Sequence, residues 1–206
     1  MKEQEILAQY LPPQSVEMVY NWIIENKIHL KISKTRRTKL GDYRPPIRHP
    51  NHRITINHDL NPYAFLITFV HEVAHLKVFT QFGTRVSPHG REWKLEYQHL
   101  MQPFLENGSF PDELKQVLIR SLIKSKASST ADIELTRILQ GYDKSSNHIH
   151  LETLESDTVF NTENGKQFKK GERIRTRYKC LNLNNNRYYL FHPLTPVFPV
   201  EALFDH

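Results

Sequence analysis

Residues 69–93, FVHEVAHLKVFTQFGTRVSPHGREW, combine the residue types and the spacing of a metal site. His71 and His75 are four positions apart, so on a helix both imidazoles leave the same face and can bind one ion. Glu72 follows His71 by one residue, about 100° around the helix. A carboxylate there lies beside the metal and can accept a proton from water. We therefore predict a zinc site with a catalytic glutamate, in preference to core histidines satisfied by ordinary hydrogen bonds.

The helix that carries this motif is predicted over residues 62–82. Asn61 can cap its start, Pro62 suits its first turn and Gly83 ends it. Apolar residues occur on almost every side of this helix, which predicts that it is buried. Ionisable side chains buried without partners cost several kcal/mol each, roughly, and a bound metal compensates that cost.

Two histidines do not complete a zinc site, so a third ligand is needed. A metzincin pattern fails, because Val78 and Gln81 stand where glycine and histidine would be required. The remaining candidates are Glu92, Glu96 and His89. We favour His89, which we expect in the first turn of the next helix, where the helix dipole disfavours the charged imidazolium. A glutamate stays open as the alternative at this point.

The elements that position these residues follow from hydrophobic periodicity and turn residues. We predict an α+β protein with helices over residues 14–27, 62–82, 87–101, 111–124 and 131–143, and strands over residues 28–33, 38–44 and 52–58. Residues 124–130, KSKASST, are typical of a linker. From about residue 148 the pattern is β-like, with hairpin turns at Asn164-Gly165 and at residues 184–186. The strand Arg53–Asn57 is a candidate sheet edge for an extended substrate, and an ordinary covered strand is the alternative.

Positive charge is concentrated in one segment. Residues 166–179 hold seven Lys and Arg against Glu172 alone, and the net charge of the whole chain is +6. A second basic cluster covers residues 34–39. Four cations alternate with less polar residues, which on one strand would place them on a single face able to follow a phosphate backbone: Arg173, Arg175, Arg177 and Lys179. The alternative is a solvated strand edge whose charges deter aggregation.

Composition sets further bounds on the protein. The chain has 206 residues, of which 38% are hydrophobic, enough for a packed core. Its single cysteine, Cys180, excludes an internal disulfide framework and a multi-cysteine zinc ribbon. The first residues lack the apolar stretch of a signal peptide, and no run of 18 apolar residues occurs. We expect a cytoplasmic protein without membrane association; the oligomeric state is not predicted.

The segment LNPYAFLITFVHEVAHLKV followed by SPHGREWK resembles the SprT-like zinc metallopeptidase family, which includes bacterial SprT and the eukaryotic DNA–protein crosslink protease Spartan. GDYRPP and HRITINHDLN upstream resemble the strands that precede the motif helix in that family. The resemblance covers residues 15–105. It implies that His71, His75 and His89 bind Zn²⁺ and that Glu72 is the catalytic base. The implied fold is a compact zincin-like core of a helix, a three-stranded sheet, the motif helix and a ligand-bearing helix.

We therefore expect an SprT-like core over residues 1–107, a helical connector over residues 108–147 and a small basic β-rich module over residues 148–206. Many relatives carry a cysteine-rich zinc module at the C-terminus, which a chain with one cysteine cannot build. The favoured function is a zinc metalloendopeptidase that acts on a protein or peptide substrate, recruited to DNA to cleave DNA-bound or DNA-crosslinked proteins. The alternative is a non-catalytic nucleic-acid or transcription-associated protein with a structural zinc. Glu72 favours the enzyme, because a closed structural site needs no adjacent carboxylate.

Overall fold

The computed structural model describes residues 2–36, 38–47, 49–123, 133–143 and 149–200, and it divides the chain into two compact units, Met1–Lys144 and Ser145–His206. The fold is α+β, as predicted. The helices are α1 (Lys2–Leu7), α2 (Val16–Glu25), α3 (Pro62–Phe82), α4 (Arg91–Glu106), α5 (Asp112–Ile123) and α6 (Ile133–Gln140). Unit 1 also holds strands β1 (Ile28–Ser33), β2 (Gly41–Arg44) and β3 (His52–Asn57). None of the helices in these described ranges is long and apolar enough to cross a membrane.

The sheet of unit 1 has the order β1-β3-β2, with β1 parallel and β2 antiparallel to β3. Ile54 and Ile56 of β3 are fully buried, and they face the helices. The prediction that Arg53–Asn57 forms a sheet edge is wrong, because β3 is paired on both sides. Strand order depends on contacts between distant segments, so the local sequence does not reveal it. In the described part of unit 1 the edges are β1 and β2.

Helix α3 is positioned by its caps and by burial. The Asn61 side chain accepts a hydrogen bond from the Ala64 N–H, and its amide also donates to the Leu139 carbonyl and to Asp143. Gly83 ends the helix with a positive φ of 62°. Twelve of the 21 residues of α3 are buried, which agrees with its apolar residues lying on nearly every side. A helix held at its start and covered on most faces gives the side chains on it little freedom.

Helices α5 and α6 pack into the same core as α3. Their buried residues are Leu114, Val117, Leu118, Leu135 and Leu139. The described part of the segment expected to be a connector therefore lies within unit 1. The predicted linker at residues 124–130 lies outside the described residues.

Unit 2 contains a seven-stranded sheet. Its strands are β4 (Ile149–His150), β5 (Val159–Asn161), β6 (Gln167–Lys169), β7 (Arg173–Ile174), β8 (Arg177–Asn182), β9 (Tyr188–Phe191) and β10 (Pro196–Pro199). They follow the order β4-β10-β5-β6-β8-β7, with β9 on β8. A small core forms between them from Leu151, Phe160, Phe168, Cys180 and Val197. Both predicted hairpin turns are confirmed, with positive φ at Gly165 and at Asn186.

The basic segment 173–179 differs from its predicted form. It is not one strand, because β7 and β8 pair as a hairpin whose two-residue turn is Arg175-Thr176. Arg175 takes a left-handed backbone with φ 54° there. Gly171 permits the close approach of the strands, since a Cβ at that position would lie 2.3 Å from the Lys179 carbonyl oxygen. The alternation of the sequence concealed the turn, because Arg-Thr lacks the glycine or asparagine that usually signals one.

Candidate metal centre and basic hairpin

Three histidines converge at the middle of unit 1. The Nε2 atoms of His71 and His75 are 3.2 Å apart, and those of His71 and His89 are 3.1 Å apart. The Nε2 atoms of His75 and His89 are separated by 2.9 Å. The first two side chains meet because they are one turn apart on α3, and the third arrives from the loop before α4. The structure therefore brings the three histidines named from the sequence into one cluster that could hold a metal ion.

The electrostatics of this cluster favour neutral imidazoles. Burial, with repulsion from the neighbouring rings, lowers the pKa of His71 to about 3. The same causes lower the pKa of His75 to about 4, and burial lowers the pKa of His89. A neutral imidazole protonated at Nδ1 presents a lone pair at Nε2. Three such lone pairs within 3.2 Å of one another repel unless a cation lies between them.

The donor set suits Zn²⁺. Tetrahedral bonds of about 2.0–2.1 Å would place pairs of donor atoms about 3.3 Å apart, close to the observed 2.9–3.2 Å. Within the described ranges no Asp, Glu or Cys joins the three histidines, so neither Glu92 nor Glu96 belongs to the group. Three protein ligands with no fourth side chain are typical of a catalytic zinc site, whereas structural sites are closed by four.

His89 lies outside the helix in which it was expected. Helix α4 begins at Arg91 with Gly90 as its cap, and His89 precedes them with a left-handed φ of 59°. The Gly90 N–H donates to the Ser87 carbonyl at 2.9 Å, which closes a tight turn. A Cβ at position 90 would lie 2.9 Å from that carbonyl oxygen. The turn directs the His89 ring back towards α3, a geometry that a helical residue would not have.

Glu72 is buried on α3, with 6% of its surface exposed, next to strand β2. The Tyr43 backbone N–H donates a hydrogen bond to its carboxylate. Burial, together with the charge of Asp42, raises the pKa of Glu72 to about 7, although that hydrogen bond and the charges of Arg36 and Lys39 oppose the shift. Gly41 is required here, because a Cβ would lie 2.6 Å from Thr68 Cγ2 and 2.9 Å from Glu72 Oε1. The close crossing of β2 and α3 thus fixes the position of the Glu72 carboxylate against β2.

Trp93 is the residue of this site that the sequence reasoning missed. Its ring, 2% exposed, lies 4.6 Å from the His71 ring, 5.3 Å from His75 and 4.7 Å from His89, between centroids. Tyr97 stacks on Trp93 at 4.9 Å, and its ring also lies 5.8 Å from the His71 ring. The signal was present, since Trp93 and Tyr97 are one helical turn apart in the helix that follows His89. The two aromatic rings form an apolar wall that holds the imidazoles in place.

The basic hairpin of unit 2 is exposed and chemically simpler. Arg173, Arg175 and Arg177 are exposed, and Lys179 Nζ lies 4.4 Å above the Tyr188 ring. Tyr188 is 61% exposed. In the register of β8 with β9, Lys179 faces Leu190 and Leu181 faces Tyr188, so these side chains share the outer face of the sheet. The four cations are divided between two strands and a turn and do not form one row.

Other cations of the basic segment have structural partners. Lys169 forms an ion pair with Asp157 at 2.7 Å. Lys170 is buried, and its ammonium donates to the carbonyls of Glu152 and Leu154. Burial lowers the pKa of Lys170. Part of the charge counted from the sequence is therefore used inside unit 2.

Comparison with known proteins adds a family to this geometry. Protein SprT of Yersinia enterocolitica is 56% identical to this chain over 32 residues, which are 16% of this chain and 18% of that protein. The chain thus spans less than a fifth of the curated relative it matches. No solved structure matches the chain. The family model described as SprT-like matches residues 14–116, half of the sequence, and this range contains His71, Glu72, His75 and His89. The chain belongs to the SprT-like family.

Proposed function

We propose that this protein is a zinc-dependent metalloprotease of the SprT-like type with a zincin-like core. The observation that carries the proposal is the convergence of three Nε2 atoms within 3.2 Å, with the buried Glu72 directly following His71 on the same helix. His71, His75 and His89 would hold Zn²⁺. When bound, zinc supplies an acidified water and polarises a peptide carbonyl.

The residues of the chain perform the proton transfers. A Glu72 carboxylate oxygen accepts a proton from the attacking water and later delivers it to the leaving amine nitrogen. The Tyr43 N–H holds that carboxylate in place through the transfer. Trp93 and Tyr97 keep the three imidazoles oriented and limit the access of water from their side.

Strand β2 is the position where we expect an extended substrate to bind. In the described part of the chain β2 pairs only with β3, so its other edge is unpaired. The Leu40 carbonyl accepts from Asn57 on the β3 side, so the Gly41 N–H points to the unpaired edge. A peptide added there as a further strand would run past Glu72. This replaces β3 as the predicted substrate strand.

The substitution Glu72→Gln tests the proposal. It keeps the three histidines, so we expect one zinc per chain by atomic absorption, with peptide hydrolysis lower by about 10²–10⁴-fold, the usual contribution of a general base. His89→Ala is the matched variant that should lose both metal and activity. Full hydrolysis by zinc-loaded Glu72→Gln would refute the mechanism. Zinc-loaded wild type that hydrolyses no peptide would favour the alternative, a non-catalytic protein with a structural zinc.

We also propose that unit 2 contacts nucleic acid and recruits the protease to DNA, where it cleaves DNA-bound or DNA-crosslinked proteins. The supporting observation is the exposed Tyr188 ring with Lys179 above it, next to the exposed arginines of the hairpin. An exposed ring beside cations can stack on a base while the cations contact phosphates.

Binding of single-stranded DNA across a salt series tests this recruitment. Lys179→Gln should reduce the slope of log affinity against log salt by about 0.7, the value for one lost phosphate contact. Lys115→Gln removes the same charge from α5 and should leave the slope unchanged. Binding that is absent at low salt, or that does not respond to salt, would contradict the proposal.

A further inference from the structure

Two residues of the second basic cluster, Arg36 and Lys39, and Arg44 of β2 surround one carboxylate on β2. Asp42 forms ion pairs with Arg36, with Lys39 at 3.2 Å and with Arg44 at 3.2 Å. One aspartate meets three cations, so the group keeps a surplus of two positive charges. Arg53 of β3 lies directly opposite Arg44 and adds a further charge.

The members of this cluster have different roles. Arg36 is committed to the fold, because it donates to Asn57 Oδ1 and to the Thr55 carbonyl besides Asp42. Lys39 and Arg44 are more open, with side chains 43% and 62% exposed. The surplus charge is therefore presented to solvent by Lys39 and Arg44, at the strand beside Glu72.

Like charges also face one another across the strands. Arg44 and Arg53 form a directly opposed pair, an arrangement that destabilises a sheet. The Nε atom of Arg53 is buried and has no hydrogen-bond partner among the described residues. An anionic group bound next to Arg44 would reduce the repulsion between the two guanidinium groups.

The geometry of β2 determines which part of a bound strand meets these charges. Asp42 and Arg44 face outward, whereas Gly41 and Tyr43 pair with the buried Ile56 and Ile54 and face α3. Side chains of an added strand alternate in the same way. Every second side chain would therefore lie near Lys39 and Arg44, and the intervening ones would lie on the side of Glu72.

We propose that β2 selects substrate segments with Asp or Glu at every second position, which pair with Lys39 and Arg44 on the outer face while the alternate side chains face the metal centre. The inference rests on the proposed protease function and deepens it by naming a substrate class. It concerns the segment that is cleaved, so a DNA-bound protein with an acidic linker would satisfy both proposals.

Shape and surface composition favour an acidic peptide over a nucleic acid at this face. The outward positions of β1, β2 and β3 hold no Phe, Tyr or Trp on which a base could stack. The unpaired edge beside the cations offers backbone partners that suit an extended peptide.

Three repeat peptides of equal length test the proposal: alternating Glu-Ala, Gln-Ala and Lys-Ala. With zinc-loaded wild type we expect kcat/KM for the Glu-Ala peptide to exceed that for Gln-Ala by about fivefold, the combined effect of two cross-strand ion pairs. The Lys-Ala peptide should be the poorest substrate. Mass spectrometry of the products should show one of the two bonds, Glu–Ala or Ala–Glu, cleaved about fivefold more often, because the strand alternates faces.

A matched pair of variants locates the effect. Lys39→Gln with Arg44→Gln should abolish the preference for Glu-Ala and the bias between bonds. The control is Lys31→Gln with Lys34→Gln, which removes the same two charges from β1 and from the residue that follows it. This control should retain both the preference for Glu-Ala and the bias between bonds. Fluorescence anisotropy of labelled Glu-Ala peptide on Glu72→Gln gives a readout without turnover, and here too binding should exceed that of Gln-Ala.

The outcomes separate the two proposals. In one outcome no peptide is hydrolysed, but Glu-Ala binds more tightly than Gln-Ala and this difference is lost in the Lys39/Arg44 variant. That outcome would overturn the proposed protease function and retain the acidic specificity. Hydrolysis without preference, or with both bonds cleaved equally, would overturn the acidic specificity alone. A third outcome is that all three peptides bind with equal affinity, while an oligonucleotide displaces the labelled peptide and this displacement requires Lys39 and Arg44. That outcome would assign the face to nucleic acid and overturn the inference.

Discussion

Among the turns that hold a non-glycine residue in left-handed backbone, those at His89 and Arg175 differ in what the side chain does. His89 has φ 59° in the turn before α4, and Arg175 has φ 54° in the turn between β7 and β8. The His89 ring lies 4.7 Å from Trp93 and its Nε2 is 2.9 Å from that of His75. Arg175 is exposed at the tip of a hairpin.

The comparison shows that backbone strain alone does not identify a functional site. Each left-handed residue costs roughly 1–2 kcal/mol relative to ordinary backbone. At His89 several packed groups require the conformation, because the ring must point back to α3. At Arg175 the pairing of two strands requires it, and any residue tolerant of that backbone would serve.

The largest effect that follows from this contrast is expected at the metal centre. His75→Ala removes one of the three proposed ligands, so we expect zinc affinity to fall by more than about 100-fold, beyond the 10–100-fold that outer groups usually contribute. Trp93 provides the readout, since its ring lies 5.3 Å from the His75 ring and its fluorescence should respond to metal in the wild type. His99→Ala, an exposed histidine of α4, is the control and should bind zinc normally. Unchanged zinc stoichiometry in His75→Ala would contradict the three-histidine site.

A second, smaller effect is expected where β2 crosses α3. Gly41→Ala would place a methyl group 2.6 Å from Thr68 Cγ2, so we expect the free energy of unfolding to fall by about 1–3 kcal/mol. The added methyl group would also displace Glu72 Oε1, so kcat for peptide hydrolysis should fall even under conditions where the variant remains folded. Denaturant titration and kcat measure the two quantities separately.

The matched control for Gly41→Ala is its combination with Thr68→Ser. This removes the clashing methyl group and keeps the hydroxyl that donates to the Ala64 carbonyl at 2.7 Å. Part of the lost stability should return. If Gly41→Ala alone leaves both stability and kcat unchanged, β2 does not approach α3 as closely as described.

The features of this site that the sequence predicts are those set by residues close together in the chain, whereas features set by contacts between distant segments are not predicted. The pairing of His71 with His75 follows from helix geometry, and the caps of α3 at Asn61 and Gly83 follow from local residue types. The place of His89 before α4 was missed, because a tight turn at Ser87–Gly90 resembles a helix start in sequence. The central position of β3 was missed because strand order is a long-range property.

In the basic segment the sequence pattern predicts the type of structure but not its arrangement. Alternating cations correctly indicate β structure, but the same alternation fits one strand or two. The turn at Arg175-Thr176 became visible only from the pairing of Arg173 with Tyr178. Exposed residues are subject to fewer packing constraints than buried ones, so their pattern specifies the structure less strictly than the pattern of α3 does.

A third effect compares an ion cluster of unit 1 with an ion pair of unit 2. Burial would raise the pKa of Asp42, but its hydrogen bonds and charges from Arg36 and Lys39 lower it below 3.8. Asp42→Asn should therefore reduce the free energy of unfolding by about 1–2 kcal/mol at pH 7, allowing for partial exposure. Asp157→Asn removes an exposed pair with Lys169 and should cost less than about 0.5 kcal/mol.

The pH dependence of the Asp42 effect has a definite sign. Because the folded pKa is lower than the unfolded value, the carboxylate contributes stability that is present above about pH 4 and is lost as the pH falls through the folded pKa. The difference between wild type and Asp42→Asn should shrink progressively in urea titrations repeated below about pH 4. A difference that stays constant from pH 7 to pH 3 would mean that the charge of Asp42 is not what stabilises the fold.

The smallest effect is expected in the left-handed turns at His89 and Arg175. Arg175→Gly relieves the strained backbone but gives the unfolded chain more freedom, so we expect a net gain of at most about 0.5 kcal/mol. His89→Gly relieves the same strain, yet it removes the ring that contacts Trp93 and the third Nε2. Zinc binding should be lost in His89→Gly and unaffected in Arg175→Gly. If Arg175→Gly destabilised the protein by more than about 1 kcal/mol, the arginine side chain would have a packing role, and the two turns would be alike in being held by their side chains. A small gain instead means that strand pairing alone sets the turn in unit 2, while at His89 the strain is maintained by the cluster that it completes.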